Sequence, residues 1–228
     1  MGLVASLPLL ALYEIGILLT GSPVENHVSA LVKRMIAVLG GNAYLIVTAA
    51  VAGLFVIALI AKRRGPAHDF HNYLVIIVEA GVYAVLLGAG IYMIGVPLAA
   101  GLFQDGDRTQ EFLGLAILYM GAGVWEELFF RLVLLGGFLF FTVRHLGGHP
   151  MVFSIVGLLL SSAAFSAIHH LGNMGEPFVS GVFLFRMMAG LILGVLYLSR
   201  GLGVCVYTHA FYNVGLLLIS FAATEGQS

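Results

Sequence analysis

The chain has 228 residues, 61% of them hydrophobic and 9% charged, with a formal net charge of -1. Soluble domains carry about 25% charged residues, so this composition excludes an ordinary water-soluble fold, and the balanced charge gives nucleic acid nothing to bind. The single cysteine, Cys205, excludes an intrachain disulfide and a multi-cysteine metal centre.

In chain order, the apolar runs are 3–20, 43–61, 73–98, 109–143, 151–170, 179–199 and 202–222. The first has no Lys or Arg ahead of it and carries Glu14 inside it, so it reads as a retained helix rather than a cleaved signal peptide. Polar or Gly/Pro-rich breaks at 21–26, 61–72, 103–110, 144–150, 172–177 and 199–201 separate the runs. Segment 23–38, with Lys33 and Arg34, reads as an interfacial helix. A membrane span needs roughly 20 apolar residues. A sheet crosses lipid only as a closed barrel, and no alternating ten-residue pattern is present. The expected fold is therefore all-α, a polytopic transmembrane helix bundle. Run 109–143 would be about 52 Å long as one helix, against a hydrocarbon core of about 30 Å. It is either tilted and protruding or broken near Gly121–Gly123, which gives seven spans, or eight with the break. With seven, Lys62, Arg63, Arg64, Arg144 and Arg200 fall on one side, which the positive-inside rule places in the cytoplasm.

The informative residues are ionisable groups at membrane depth, each costing roughly 2.5–3.5 kcal/mol on insertion scales. They are Glu14, Glu79, Glu126, Glu127, Arg131, His169, His170, Arg186 and His209, with Asn213 as a buried amide. In WEELFFRLVLL at 125–135, Glu127 and Arg131 are four apart and share a helix face, the spacing of an ion pair. Glu126 points about 100° away. It is either a general base in a low-dielectric site or half of an interhelical salt bridge. In FSAIHHL at 165–171, the adjacent His169 and His170 face different directions, so one of them at most shares a site with Glu126. Otherwise each is a histidine bonded to a backbone carbonyl. In THAFYN at 208–213, His209 and Asn213 lie four apart on one face, as joint hydrogen-bond donors or as interhelical packing contacts. A carboxylate, two imidazoles and an amide from three helices are the minimal set for hydrolysing an amide: a base for water and donors for the oxyanion.

Glu-Glu-x-x-x-Arg at 126–131, Phe-x-x-x-His at 165–169 and His-x-x-x-Asn at 209–213, in that order in apolar helices, resemble the CPBP intramembrane proteases, which include the type II CAAX prenyl endopeptidases. The resemblance covers roughly 110–222, including GLILGVLYLSRGLGVCVYTHAFYN. It implies a glutamic-type intramembrane endopeptidase, with N-terminal transmembrane helices in 1–108 and the catalytic core in 109–228. Glu126 would activate water with help from His169, His209 and Asn213 would stabilise the oxyanion, and Glu127 and Arg131 would support the site. His170 has no place in the motifs. Arg186 needs a carboxylate, with Glu127 and Glu79 as the candidates. The implied partners are the lipid bilayer and a membrane-anchored protein or peptide, lipidated or with a transmembrane tail, and no nucleic acid. The implied location is a bacterial or archaeal plasma membrane. No cofactor or metal is expected, because the two histidines lie on different helices; zinc is the alternative. Two other functions compete: a non-catalytic scaffold or bacteriocin-immunity protein, and a proton-coupled transporter. The absence of a repeated half counts against the transporter.

Overall fold

In the computed structural model, the described residues are 2–20, 70–93, 108–171 and 175–225, with the single positions 50 and 53. The interfacial helix expected at 23–38, nearly all of the span expected at 43–61, and the cations Lys62, Arg63 and Arg64 that set the orientation lie outside them.

Six helices make up the described structure, and it is all-α: α1 (Gly2–Thr20), α2 (Phe70–Met93), the composite α3 from Arg108 to His145, α4 (Pro150–Ile168), α5 (Ser180–Arg200) and α6 (Leu202–Glu225). Four stretches are long and apolar enough to cross a membrane: His71–Gly90, Pro150–Ile168, Ser180–Arg200 and Leu202–Ala222. The expected seven or eight spans are not shown among the described residues. The apolar stretch of α1, Gly2–Ile17, is shorter than a span. The spanning window of α6 is 56% buried within the protein, against 17–28% for the other three, so α6 is the central helix. Leu202, Val204, Val206, Tyr207 and Ala210 of α6 pack with Leu7 and Leu10 of α1, Ala80 of α2 and Val124 of α3 in one core. In lipid such packing is driven by close contact and interhelical hydrogen bonds rather than by water exclusion. Ser166 of α4 supplies one such bond, its hydroxyl donating to the Phe183 carbonyl of α5 at 2.7 Å.

The long run 109–143 does not break at its glycines. α3 is α-helical over Arg108–Glu127, π-helical over Leu128–Gly136, α-helical for one turn at Gly137–Leu139 and π-helical again over Phe140–His145. The glycines serve packing. A Cβ on Gly123 would lie 2.7 Å from the backbone nitrogen of Ala210, and one on Gly121 would overlap the Tyr13 ring. Absence of a side chain there lets α6 and α1 approach α3, and the helix stays continuous because its neighbours hold it on both sides. The winding changes instead directly after Glu127, and π-type turns are often found at functional sites.

The turns follow local chemistry. After α3, Leu146 N–H donates to the Phe141 carbonyl and Gly148 N–H to that of Thr142, pairing carbonyls that the helix end leaves open. His149 is extended and Pro150 occupies the first turn of α4, where its missing N–H costs nothing. One residue, Gly201, joins α5 to α6. Its φ of +88° is in the left-handed region that favours glycine.

Candidate active site

Glu126 and Glu127 end the α-helical portion of α3, and their side chains diverge as consecutive helical residues must. Both are buried, Glu127 fully. Glu127 makes an ion pair with Arg131, its Oε2 lying 3.1 Å from Nε, with both side chains wholly inaccessible. Arg131 also donates from Nη2 to the Gly190 carbonyl of α5 at 3.0 Å, and its guanidinium lies 4.7 Å from the centre of the Phe165 ring. The paired carboxylate neutralises this deep charge and Nη2 is hydrogen-bonded, while Nε and Nη1 have no hydrogen-bond partner among the described residues.

Glu126 faces two imidazoles. Its Oε1 lies 3.8 Å from His169 Nε2, at the C-terminal cap of α4, and its Oε2 lies 3.7 Å from His209 Nε2 on α6. Both separations exceed hydrogen-bond length, so these atoms remain available to a third group. His169 is oriented by its Nδ1, which meets the Phe165 carbonyl at 2.8 Å. His209 is oriented by its Nδ1, which meets Glu127 Oε1 at 2.7 Å. The Phe165 ring stands edge-on to both imidazoles, at centroid distances of 5.3 and 5.9 Å, and keeps them apart.

The structure thus brings together Glu126, Glu127, Arg131, His169 and His209 from α3, α4 and α6. Asn213 is placed differently. One turn beyond His209, it donates from Nδ2 to the main-chain carbonyl of Tyr119 at 3.3 Å. Since α6 runs antiparallel to α3, that bond lies on the far side of the Gly123–Ala210 contact from the carboxylates. An amide nitrogen has two hydrogens, so one is left over.

The other ionisable residues singled out above, Arg186, Glu79 and His170, find partners outside this centre. Arg186 pairs with neither Glu127 nor Glu79. It binds Glu176 through Nη2, at 2.8 and 2.9 Å to the two carboxylate oxygens. The physical reason is position: α5 starts at Ser180, side chains lean toward the helix N-terminus, and the arginine reaches back to the segment that precedes the helix. Glu79 pairs with Arg200, whose Nη2 lies 2.8 Å from Oε2. His170 turns away from Glu126: its Nδ1 lies 3.2 Å from the Glu176 carbonyl and its ring packs against Phe178 and Phe183.

Two participants escape the sequence reading. Cys205 lies 2.9 Å from Glu127 Oε2 through its sulfur, although the sequence speaks of it only in terms of disulfides and metals. Its place four residues before His209, on the same face of α6, is the signal that points to it. Phe165 enters the motif as a spacing mark, yet its carbonyl anchors one histidine and its ring touches both. A separate open cleft of about 430 Å³ lies near the other end of α3, lined by Phe140, Arg144, Ser154 and Tyr197 among others.

The family model described as Type II CAAX prenyl endopeptidase Rce1-like matches residues 108–215, which include every residue of this cluster. No curated protein and no solved structure matches the chain.

Proposed function

From a chain that matches the type II CAAX prenyl endopeptidase Rce1-like family model over residues 108–215, we infer an intramembrane endopeptidase of the glutamic type. It hydrolyses a peptide bond in a protein or peptide that is itself held in the bilayer, by a lipid or by an apolar C-terminal tail. One observation carries the reading: a buried carboxylate, Glu126, with a histidine Nε2 beside each of its two oxygens, at 3.8 and 3.7 Å.

These distances leave the three groups free to bind water, the co-substrate a peptidase needs. Glu126 takes a proton as the water oxygen attacks the scissile carbonyl, with His169 holding the water from the other side. The second N–H of Asn213 faces the oxyanion from one helical turn away; His209 joins it through Nε2–H only when its ring carries both protons, because its Nδ1–H is already given to Glu127 Oε1. Collapse of the tetrahedral intermediate breaks the C–N bond, and the proton held by Glu126 passes to the leaving amine. Glu127 and Arg131 contribute position only. Helices α1 and α2, in the N-terminal segment 1–108, pack on the core formed by 109–228, and the membrane is the plasma membrane of a bacterium or archaeon. CAAX-type or sorting-tail processing fits a substrate that arrives laterally through lipid.

The test is cleavage of a panel of membrane-anchored peptides, prenylated and transmembrane-tailed, by the purified full chain in bilayer discs. Turnover of at least one class supports the reading. Binding without cleavage across the panel, with wild type and Glu126→Gln indistinguishable, is the scaffold outcome and overturns it. Glu126, His169 and His209 are also the donor types a catalytic zinc would take. Loss of turnover on chelation and recovery with zinc would replace the metal-free mechanism.

A further inference from the structure

The two histidines that face Glu126 are anchored in unlike ways. His169 meets a neutral main-chain oxygen on its own helix, the Phe165 carbonyl. His209 meets a carboxylate oxygen on a different helix, Glu127 Oε1. A carbonyl and an arginine-paired carboxylate only accept, so each imidazole carries a proton on Nδ1. The difference is what holds the acceptor in place. A main-chain carbonyl is fixed by its helix, whereas a carboxylate rotates unless other groups stop it.

We infer that Glu127 is the positioning residue for His209, with Cys205 and Arg131 as the two groups that stop its carboxylate from turning. The two oxygens of Glu127 are divided between tasks. Oε1 receives His209 Nδ1–H, while Oε2 lies 3.1 Å from Arg131 Nε and 2.9 Å from the Cys205 sulfur. Arg131 is itself tied to the Gly190 carbonyl of α5, while the Cys205 thiol has a single hydrogen to share between Glu127 Oε2 and the Leu193 carbonyl, 3.1 Å away on the same helix. Glu127, Arg131 and Cys205 are each 0% exposed, so bulk water does not compete for these contacts. One face of α6 therefore offers a thiol and an imidazole, four residues apart, to the two oxygens of one carboxylate. The result is that His209 has a single ring nitrogen, Nε2, left to turn toward Glu126. Were the carboxylate to swing, Nδ1 would lose its acceptor and the proton could settle on Nε2 with the ring turned away.

The inference rests on the endopeptidase reading only for its effect on turnover; the anchor itself is read spectroscopically. The experiment uses full-length protein in bilayer discs with 15N-labelled histidine, with the His209 signal assigned by its loss in His209→Gln. Long-range proton–nitrogen spectra report which ring nitrogen is protonated. Wild type should show His209 with a proton on Nδ1. Glu127→Ala should populate the form with a bare Nδ1 and a protonated Nε2. Glu127→Gln, whose amide oxygen still accepts, should retain the Nδ1 proton. On a cleavable substrate, Glu127→Ala should lower kcat by about 10–100-fold, the range typical of lost orienting partners, with KM unchanged. Cys205→Ala should lower it less, and Cys205→Ser, which keeps a donor, should restore it. Where Glu127→Ala does not fold because Arg131 is left alone, Glu127→Ala/Arg131→Leu removes both charges and carries the same readout. A bare Nδ1 in wild type, or an unchanged His209 spectrum in the alanine variants, overturns the inference. An absence of cleavage by wild type, with the Nδ1 signal in place, sinks the protease reading and leaves the anchor standing.

Discussion

The Glu127–Arg131 pair and the Glu79–Arg200 pair join the same two side-chain types in opposite surroundings. The first is wholly enclosed by α3, α5 and α6, and each member makes further contacts to a histidine, a thiol or a backbone carbonyl. The second bridges α2 and the end of α5 with the arginine side chain 50% exposed. The pair between Glu176 and Arg186 is also open to its surroundings, there at the carboxylate, which is 43% exposed. Attraction between unit charges rises as the surrounding dielectric falls, but so does the cost of stripping their hydration. An enclosed pair is therefore sensitive to loss of one partner, whereas a peripheral pair falls back on water or lipid headgroups. The contrast separates a pair that organises chemistry from pairs that tidy helix ends.

Glu126→Gln gives the largest expected effect on turnover. The amide keeps the shape and is cheaper to bury than a carboxylate, so folded yield should match wild type. Cleavage should drop at least about 10²-fold, the lower end of what a positioned acid–base group contributes. A glutamine variant that cleaves at the wild-type rate would end the glutamic mechanism. Arg131→Ala comes next and acts on the fold. It leaves Glu127 as an uncompensated buried charge, at a cost of about 3–5 kcal/mol, read as lower yield and an earlier thermal transition in detergent. Normal yield and activity in that variant would place the centre in the same class as the peripheral pairs.

Gly123→Val tests the packing that brings the charged groups together. The Ala210 backbone nitrogen cannot yield as a flexible side chain would, so overpacking should destabilise the α3–α6 contact by about 1–3 kcal/mol. The measurement is the same thermal transition, and a neutral result would mean that α3 and α6 separate without penalty. Arg186→Gln should cost less than about 1 kcal/mol, as exposed pairs do. Arg200→Gln should leave folded yield unchanged, and a large loss from either variant would erase the distinction between centre and periphery.

The contacts legible in the sequence are those a single helix dictates. Glu127 and Arg131 sit four residues apart and meet; Glu126 and Glu127 are adjacent and diverge; His169 and His170 diverge in the same way. The match to the family model over 108–215 is likewise a property of the linear sequence. What cannot be read this way depends on how helices lie against one another. Arg186 finds Glu176 in the preceding segment because of where α5 begins, and hydropathy does not report that. Cys205 joins the carboxylate because α6 is antiparallel to α3 at a level set by the Gly123–Ala210 contact. The change to π-winding after Glu127 has no residue signature, since Leu128–Gly136 is as apolar as an ordinary span. The expected number of spans rests on apolar length alone, and one of those runs, residues 43–61, falls almost wholly outside the described residues.

The one-residue joint at Gly201 sets a lever. His209 lies seven residues past Leu202, about 10 Å along α6, whereas the far end of this helix is about 36 Å away at 1.5 Å per residue. A rigid tilt of about 5° around the joint would move the imidazole by about 1 Å and the far end by about 3 Å. In any such tilt the working residues of α6, close to the fulcrum, travel least, and the displacement falls on the end near Ala222, where Phe221 meets Phe112 of α3 edge to face.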